Sequence, residues 1–374
     1  MKLLKLILLL LFPLTGWCQY NVFGTITDQS NNLPLRGVTV FIDGSSYATL
    51  TDSSGHFEFQ NLPVKVVDLV AAKPGFTTGI YRTDVKTSNL KIIFQLGSED
   101  EQTDNTTNDS LSASLQKWSE VFLSSFIGTS ANSYDCYIAN PKVLRFKYAD
   151  SLDGLSVTAT EPLQIFNEAL GYIVYYYLSE VFIKNNGVVY NSSFHYFKEL
   201  KSKQPLILSK WKLNRYNAYN GSLLHFMRSF YNNKLNEEGF RVRKVNRIYE
   251  DDASYARTKK IPGAVAGKTL MFDSLGKPFF RFFTEFVDKT ALPVDEYRQS
   301  TDNDTWLIPS SSALEITYLK SGKPLVSFII LKGQRLLVES NGLYFDSADL
   351  LQEGFWKSLK VADALPCNFE RVDL

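Results

Sequence analysis

Thr51-Asp52-Ser53-Ser54-Gly55-His56-Phe57-Glu58-Phe59 decides how the first part of the chain is read. A polar cluster ending in glycine sets a tight turn, where a backbone φ above zero is needed. Beyond it Phe57 and Phe59 alternate with His56 and Glu58, the period of a half-buried strand. Working outward, Val22, Gly24 and Ile26 share one side of an earlier strand until Asp28-Gln29-Ser30-Asn31-Asn32 stops it. Val38, Val40 and Ile42 repeat the period before Asp43-Gly44-Ser45-Ser46. Val64 to Ala71 is a more continuous apolar run halted by Lys73-Pro74-Gly75, and Leu90 to Gln95 is the last strand. Short strands at regular spacing, without a helical period between them, predict an antiparallel β-sandwich over residues 19–97.

The string Gly24-x-Ile26-x-Asp28, Pro34-Leu35-x-Gly37-Val38-x-Val40, Thr51-Asp52-x-x-Gly55-x-Phe57-x-Phe59 and Gly75-Phe76 resembles the carboxypeptidase regulatory-like domain. The resemblance implies a transthyretin-like (prealbumin-like) sandwich. It implies no peptidase activity, because the module accompanies other domains. In Gram-negative bacteria it often stands at the front of outer-membrane transporters, but no transporter plug is recognised after it here. The remainder resembles envelope proteins that begin with the same module. Fold and location follow from this, and no reaction does.

Residues 1–18 read as a secretion signal: Lys2 and Lys5, the apolar run Leu6 to Leu14, then Gly16-Trp17-Cys18. Lipidation at Cys18 is disfavoured by the large Trp17 before it. No later apolar run is long enough to span a membrane as a helix. The expected location is the periplasm or the outer-membrane surface of a Gram-negative bacterium. With 374 residues, 14% of them aromatic, the chain can bury more than one core. Its net charge of +1 gives no global attraction to nucleic acid. Residues 98–113 carry Glu99, Asp100, Glu101, Asp104 and Asp109 with no basic or aromatic residue, the composition of a solvated acidic linker.

Residues 114–374 are expected to form a larger β-rich α+β domain with a few helices, so that the chain as a whole is mainly β. Leu115, Trp118, Val121, Phe122 and Phe126 mark one face of a helix that Gly128 can end. Val143–Tyr148, Leu155–Ala159, Leu163–Phe166 and Tyr172–Ile183 read as strands, the last turning at Asn185-Asn186-Gly187 into Val188–Tyr190. Ser222 is the expected N-cap of a second helix running to Asn232. Leu270–Phe272 is expected to pair with Pro278–Phe283, and Ala313–Leu319, Leu325–Leu331, Arg335–Val338 and Leu343–Phe345 to form a meander.

Catalytic signatures are lacking. The histidines His56, His195 and His225 stand at no metal-binding spacing, and no metal or other cofactor is expected. No nucleophile elbow occurs. Ser274-Leu275-Gly276-Lys277 fits a four-residue nucleophile pattern, but in an expected hairpin turn. Glu250-Asp251-Asp252 or the pair Glu285 and Asp288 could serve a hydrolase of envelope polymers, which is the alternative reading. Cys136 and Cys367 either pair, clasping the second domain with a disulfide worth on the order of 5 kcal/mol, or stay buried and free.

One charge bias stands out. Lys198, Lys201, Lys203, Lys210, Lys212, Arg215, Arg228, Lys234, Arg241, Arg243, Lys244 and Arg247 meet only Glu199, Glu237 and Glu238 as acids. Trp211, Tyr216 and Tyr219 are interleaved, and His225 lies close by. Cations beside aromatic rings suit an anionic glycan, lipopolysaccharide or an envelope protein, and the export signal argues against nucleic acid. The binding candidates are therefore Lys210, Trp211, Lys212, Arg215, Tyr216, Tyr219, His225, Arg228, Arg241 and Arg243. The competing reading is a solvated face balanced by acids from elsewhere. The expectation is an exported, non-enzymatic binding or scaffolding protein.

Overall fold

The computed structural model describes residues 20–62, 66–84, 89–98, 108–149, 154–184, 187–250, 265–272, 278–302, 304–333, 335–345 and 350–372. The signal segment, Cys18, Asp251, Asp252 and Ser274 to Lys277 lie outside them. Two compact units take their described residues from Met1–Val40 with Thr49–Ser98, and from Phe41–Ala48 with Glu99–Leu374.

The sandwich strands are β1 (Tyr20–Asp28), β2 (Thr39–Ile42), β3 (Ala48–Leu50), β4 (His56–Leu62), β5 (Val66–Ala72), β6 (Gly79–Asp84) and β7 (Asn89–Leu96). They form sheets in the orders β4-β1-β7 and β3-β2-β5-β6. The alternation read in the sequence holds, with Val22, Ile26, Val38, Val40, Phe57, Phe59, Ile92 and Phe94 buried. The sandwich is not wholly antiparallel: β1 runs parallel to β7, Val22 opposite Leu90 through Asp28 opposite Leu96. First and last strands become neighbours, and a parallel pair needs the intervening chain as its crossover. Gly24 sits at that seam, where a Cβ would come within 2.1 Å of the Ile92 carbonyl oxygen.

The Thr-Asp-x-x-Gly motif is a hydrogen-bonded corner. Buried Thr51 Oγ1 accepts from Val38 N at 2.9 Å and donates to the Leu35 carbonyl at 2.6 Å. Asp52 Oδ1 accepts from the backbone of Ser54 (2.8 Å) and His56 (2.9 Å), and Gly55 turns with a φ of +71°. Thr51→Val should leave a buried N–H and a carbonyl unpaired and lower the urea midpoint of the sandwich by the equivalent of about 1–3 kcal/mol. An unchanged midpoint would refute this role.

The second unit has two helix-on-sheet halves. Helix α1 (Asn108–Phe126) starts inside the stretch that composition reads as linker. It lays Phe122 and Phe126 on a sheet of β8 (Cys136–Ile138), β9 (Leu144–Ala149), β10 (Gly154–Ala159), β11 (Leu163–Asn167), β12 (Tyr172–Lys184) and β13 (Gly187–Glu199). β13 lines one edge of the long β12, while β11 and β10 share its other edge end to end.

After α2 (Pro205–Tyr219), α3 (Leu223–Tyr231) and α4 (Leu235–Glu238), the chain builds its second sheet. The remaining strands are β14 (Phe240–Glu250), β15 (Val265–Phe272), β16 (Pro278–Val287), β17 (Arg298–Ser300), β18 (Thr305–Leu307), β19 (Ala313–Tyr318), β20 (Leu325–Leu331), β21 (Leu336–Val338) and β22 (Leu350–Gly354). The sheet order is β15-β16-β14-β19-β20-β22, with β17-β18-β21 as a small separate sheet. Ser222 caps α3 as expected, accepting from His225 N at 3.1 Å. Phe226, Met227 and Phe230 then pack against Phe240, Val242 and Ile316.

The segment from Val361 to Arg371 ties the halves together. Ala362 N donates to the Ile127 carbonyl at 3.0 Å, and Asn167 Nδ2 to the Ala362 carbonyl at 2.9 Å. Further along, Arg228 Nη2 donates to the Cys367 carbonyl at 2.7 Å, and Arg371 pairs with Glu238 at 2.8 Å. Cys136 and Cys367 are both free thiols, so the disulfide clasp is not formed. Each is satisfied locally: Cys136 Sγ donates to the Asn132 carbonyl at 3.3 Å, and Cys367 Sγ accepts from Asn341 Nδ2 at 3.5 Å. Burial pushes both thiols up to about 12.

Candidate functional site

The basic-aromatic candidates divide according to what holds them. Helix α2 starts with Pro205 in its first turn, where the missing N–H costs nothing. Its inner face grips the turn between β11 and β12 through polar groups. Trp211 Nε1 donates to the Glu168 carbonyl (2.8 Å), Asn214 Nδ2 to Ala169 (2.9 Å), and Arg215 to Leu170 (2.6 Å) and Gly171 (3.2 Å). Four successive carbonyls are thereby satisfied by one helix. Arg215 also pairs with Glu199, and its guanidinium lies 4.1 Å above the Tyr172 ring. These contacts make Arg215 and Trp211 supports for the helix.

Beside α2 opens a groove of about 810 Å³. Leu208, Tyr216, Phe369 and Val372 give it apolar walls, and Lys201, Lys203 and Lys212 stand on its rim. The three lysines are exposed and have no ion pair among the described residues. Of the groove's two acids, Glu199 is held by Arg215, which leaves Glu370. Trp211, Lys212, Arg215 and Tyr216 of the candidate set thus share one cavity. Lys210, on the same helix, is paired with Asp135 at 2.7 Å.

Tyr219, His225 and Arg228 belong to a different cluster. His225 is 1% exposed; its Nδ1 accepts from Gly221 N at 3.1 Å, which fixes the proton on Nε2, 3.0 Å from Glu238 Oε2. Burial outweighs the attraction of that carboxylate and lowers the imidazole to about 4. Arg371, through its hydrogen bonds, holds Glu238 at about 2. Arg228 is bonded to the carbonyls of Asn341 and Cys367. A second cavity of about 530 Å³, lined by Glu238, Lys320 and Arg371, also touches Tyr216.

Arg241 and Arg243 lie on β14, away from both cavities. Arg241 is exposed. Arg243 faces Glu315 and is bonded to both its carboxylate oxygens. Four residues further along β14, Arg247 bridges Glu285 and Glu353, each at 2.7 Å. Glu285, an acid of the hydrolase alternative, is therefore committed to a buried ion pair outside either groove. The segment from Pro366 to Val372, which supplies one wall of the groove, was missed by sequence reading because it has neither periodicity nor charge bias.

The strand-turn corner at Thr51 and the parallel β1–β7 seam belong to a region with a recognisable family. Residues 22–107 match the CarboxypepD_reg-like domain. The match covers most of the first unit together with Phe41–Ala48 of the second; it ends before α2, although Ser46 within it lines the groove. A comparison with curated proteins gave no match. Among solved structures, the chain is similar to a type II cohesin–X-dockerin complex from Acetivibrio cellulolyticus, at 19% identity over 29% of this chain and 74% of that one, TM-score 0.21. It is also similar to the major pilin SpaD from Corynebacterium diphtheriae, at 8% identity over 83% of this chain and 66% of that one, TM-score 0.20. The major pilin subunit BcpA of Bacillus cereus gives 8% identity over 90% and 84%, TM-score 0.20. No function is transferred from these likenesses. Among the described residues, no helix is long and apolar enough to cross a membrane.

Proposed function

We propose that this is an exported, non-enzymatic envelope protein that holds an anionic envelope component in the groove beside α2. The observation that carries the reading is the rim of Lys201, Lys203 and Lys212 above apolar and aromatic walls. Ammonium groups without carboxylate partners attract anionic groups, and Tyr216 and Phe369 offer faces for a sugar ring. The CarboxypepD_reg-like domain, joined to the second unit through the acidic stretch, serves as the accompanying module, in the periplasm or at the outer-membrane surface.

Titration calorimetry with a soluble polyuronate is the direct test. Reversing Lys201, Lys203 and Lys212 to Glu should weaken binding by roughly tenfold or more at low salt. Affinity unchanged by the triple reversal would reject the groove as the site.

A further inference from the structure

Residues 200–236 contain no Asp or Glu, while Lys201, Lys203, Lys210, Lys212, Arg215, Arg228 and Lys234 fall within them. α2 lies in this stretch, and its outer face is unusual. Leu206, Lys210, Leu213 and Asn217 share that face by helical period, and all four are exposed. Leu206 is 86% exposed and Leu213 47%, two turns or about 10 Å apart. Leu208, on the groove side, is a third exposed leucine of the same helix. No other helix among the described residues exposes more than one leucine to this degree. A soluble polyanion would use the lysines and leave the leucines in water. A surface with anionic headgroups above acyl chains uses both.

We infer that α2 seats the protein on an anionic lipid surface, with Leu206 and Leu213 entering the boundary between headgroups and chains. Lys201 and Lys203, just ahead of the helix, and Lys212 on the groove rim then face lipid phosphates. The inference rests on the groove reading and narrows it: the anionic group held there belongs to a lipid, whose chain can lie along Leu208, Phe369 and Val372. Lys210 contributes less, since Asp135 already neutralises it.

The experiment is co-sedimentation of the full chain with vesicles of phosphatidylcholine alone or mixed with phosphatidylglycerol, beside calorimetry with soluble polyuronate. Binding to the mixed vesicles only is expected. The double variant Leu206→Glu, Leu213→Glu should lower that partition by at least about tenfold. A second pair, Leu206→Ser with Leu213→Ser, checks the same effect without added charge and should leave polyuronate affinity unchanged, because neither leucine lines the groove; far-UV circular dichroism confirms the fold of each. Vesicle binding that survives both pairs overturns the inference. So does equal binding to neutral and mixed vesicles, or binding to neither while polyuronate still binds, which leaves the groove reading standing. Loss of vesicles and polyuronate alike overturns both.

Discussion

Arg247→Ala should destabilise the second unit by about 3–5 kcal/mol, because it strands the buried carboxylate of Glu285 and the part-buried one of Glu353. The Arg247 side chain is 1% exposed, and its guanidinium sits 4.2 Å above the Phe283 ring. Nε donates to Glu285 and Nη2 to Glu353, while Nη1 has no partner among the described residues. Glu285 is the direct neighbour on β16. Glu353 is on β22, three strands from β14, which a flat sheet would hold about 14 Å away. The contact requires the sheet to curl around the guanidinium. Removing the arginine alone should therefore cost far more than replacing the whole group. The triple change Arg247→Met, Glu285→Leu, Glu353→Leu should recover most of the loss. Urea denaturation of the three proteins decides it. A single Arg247→Ala within 1 kcal/mol of the parent would show that the group is dispensable.

Acid should unfold the second unit in two steps, the first governed by His225. The imidazole titrates near 4 when folded and near 6.5 when free, so between those values the unfolded chain binds more protons. The neutral ring's contribution is complete above pH 6.5 and is lost as pH falls through that window to 4. It amounts to about 3 kcal/mol. Protonation would turn an Nδ1 proton towards the Gly221 N–H, with Arg371 and Lys320 adding positive charge nearby. Only Glu238 favours the charged form, and Tyr219, Tyr318 and Phe240 enclose the ring without charge. The second step comes below pH 4.5, where Glu238 loses its pairing with Arg371 as pH falls towards 2. His225→Gln keeps a donor for Glu238 and removes the titration. Its stability should fall less steeply between pH 6.5 and 4 than that of the parent. The remaining slope comes from His195, whose imidazole is also lowered by burial, and parallel curves would contradict the assignment.

The elements read correctly from sequence are those whose signal is local. The alternation of β1, β2 and β4, the aromatic face of α1 and the Ser222 cap each sit within a few residues. Asn185-Asn186-Gly187 announced the long hairpin, although β13 runs on to Glu199, well past Tyr190. α2 escaped because its inner face is held by Trp211, Asn214 and Arg215 bonding to carbonyls, which leaves no apolar stripe to count. The basic run divides in the fold into cations with partners and cations without one among the described residues. Arg243 and Arg247 looked like surface charge because their partners lie 72, 38 and 106 residues further on. Pairing at that separation is decided by sheet topology, which no short window contains. Lys201, Lys203 and Lys212 were in the run from the start, but only the fold distinguishes them from the cations already taken.

The tie made by residues Val361 to Arg371 has a consequence for biogenesis. In a chain that emerges amino end first, the residues the tie fastens, from Gly44 and Ser46 to Glu238, are all made before the tie itself. The α1 half can assemble its sheet early, yet Ile127 and Asn167 wait for Ala362, and Glu238 waits for Arg371. Unfinished molecules therefore hold two open seams for the whole interval of synthesis or translocation, a window in which a chaperone or a protease can act. Protease protection of the α1 half should accordingly lag its own completion and appear only once residue Ala362 has cleared the exit.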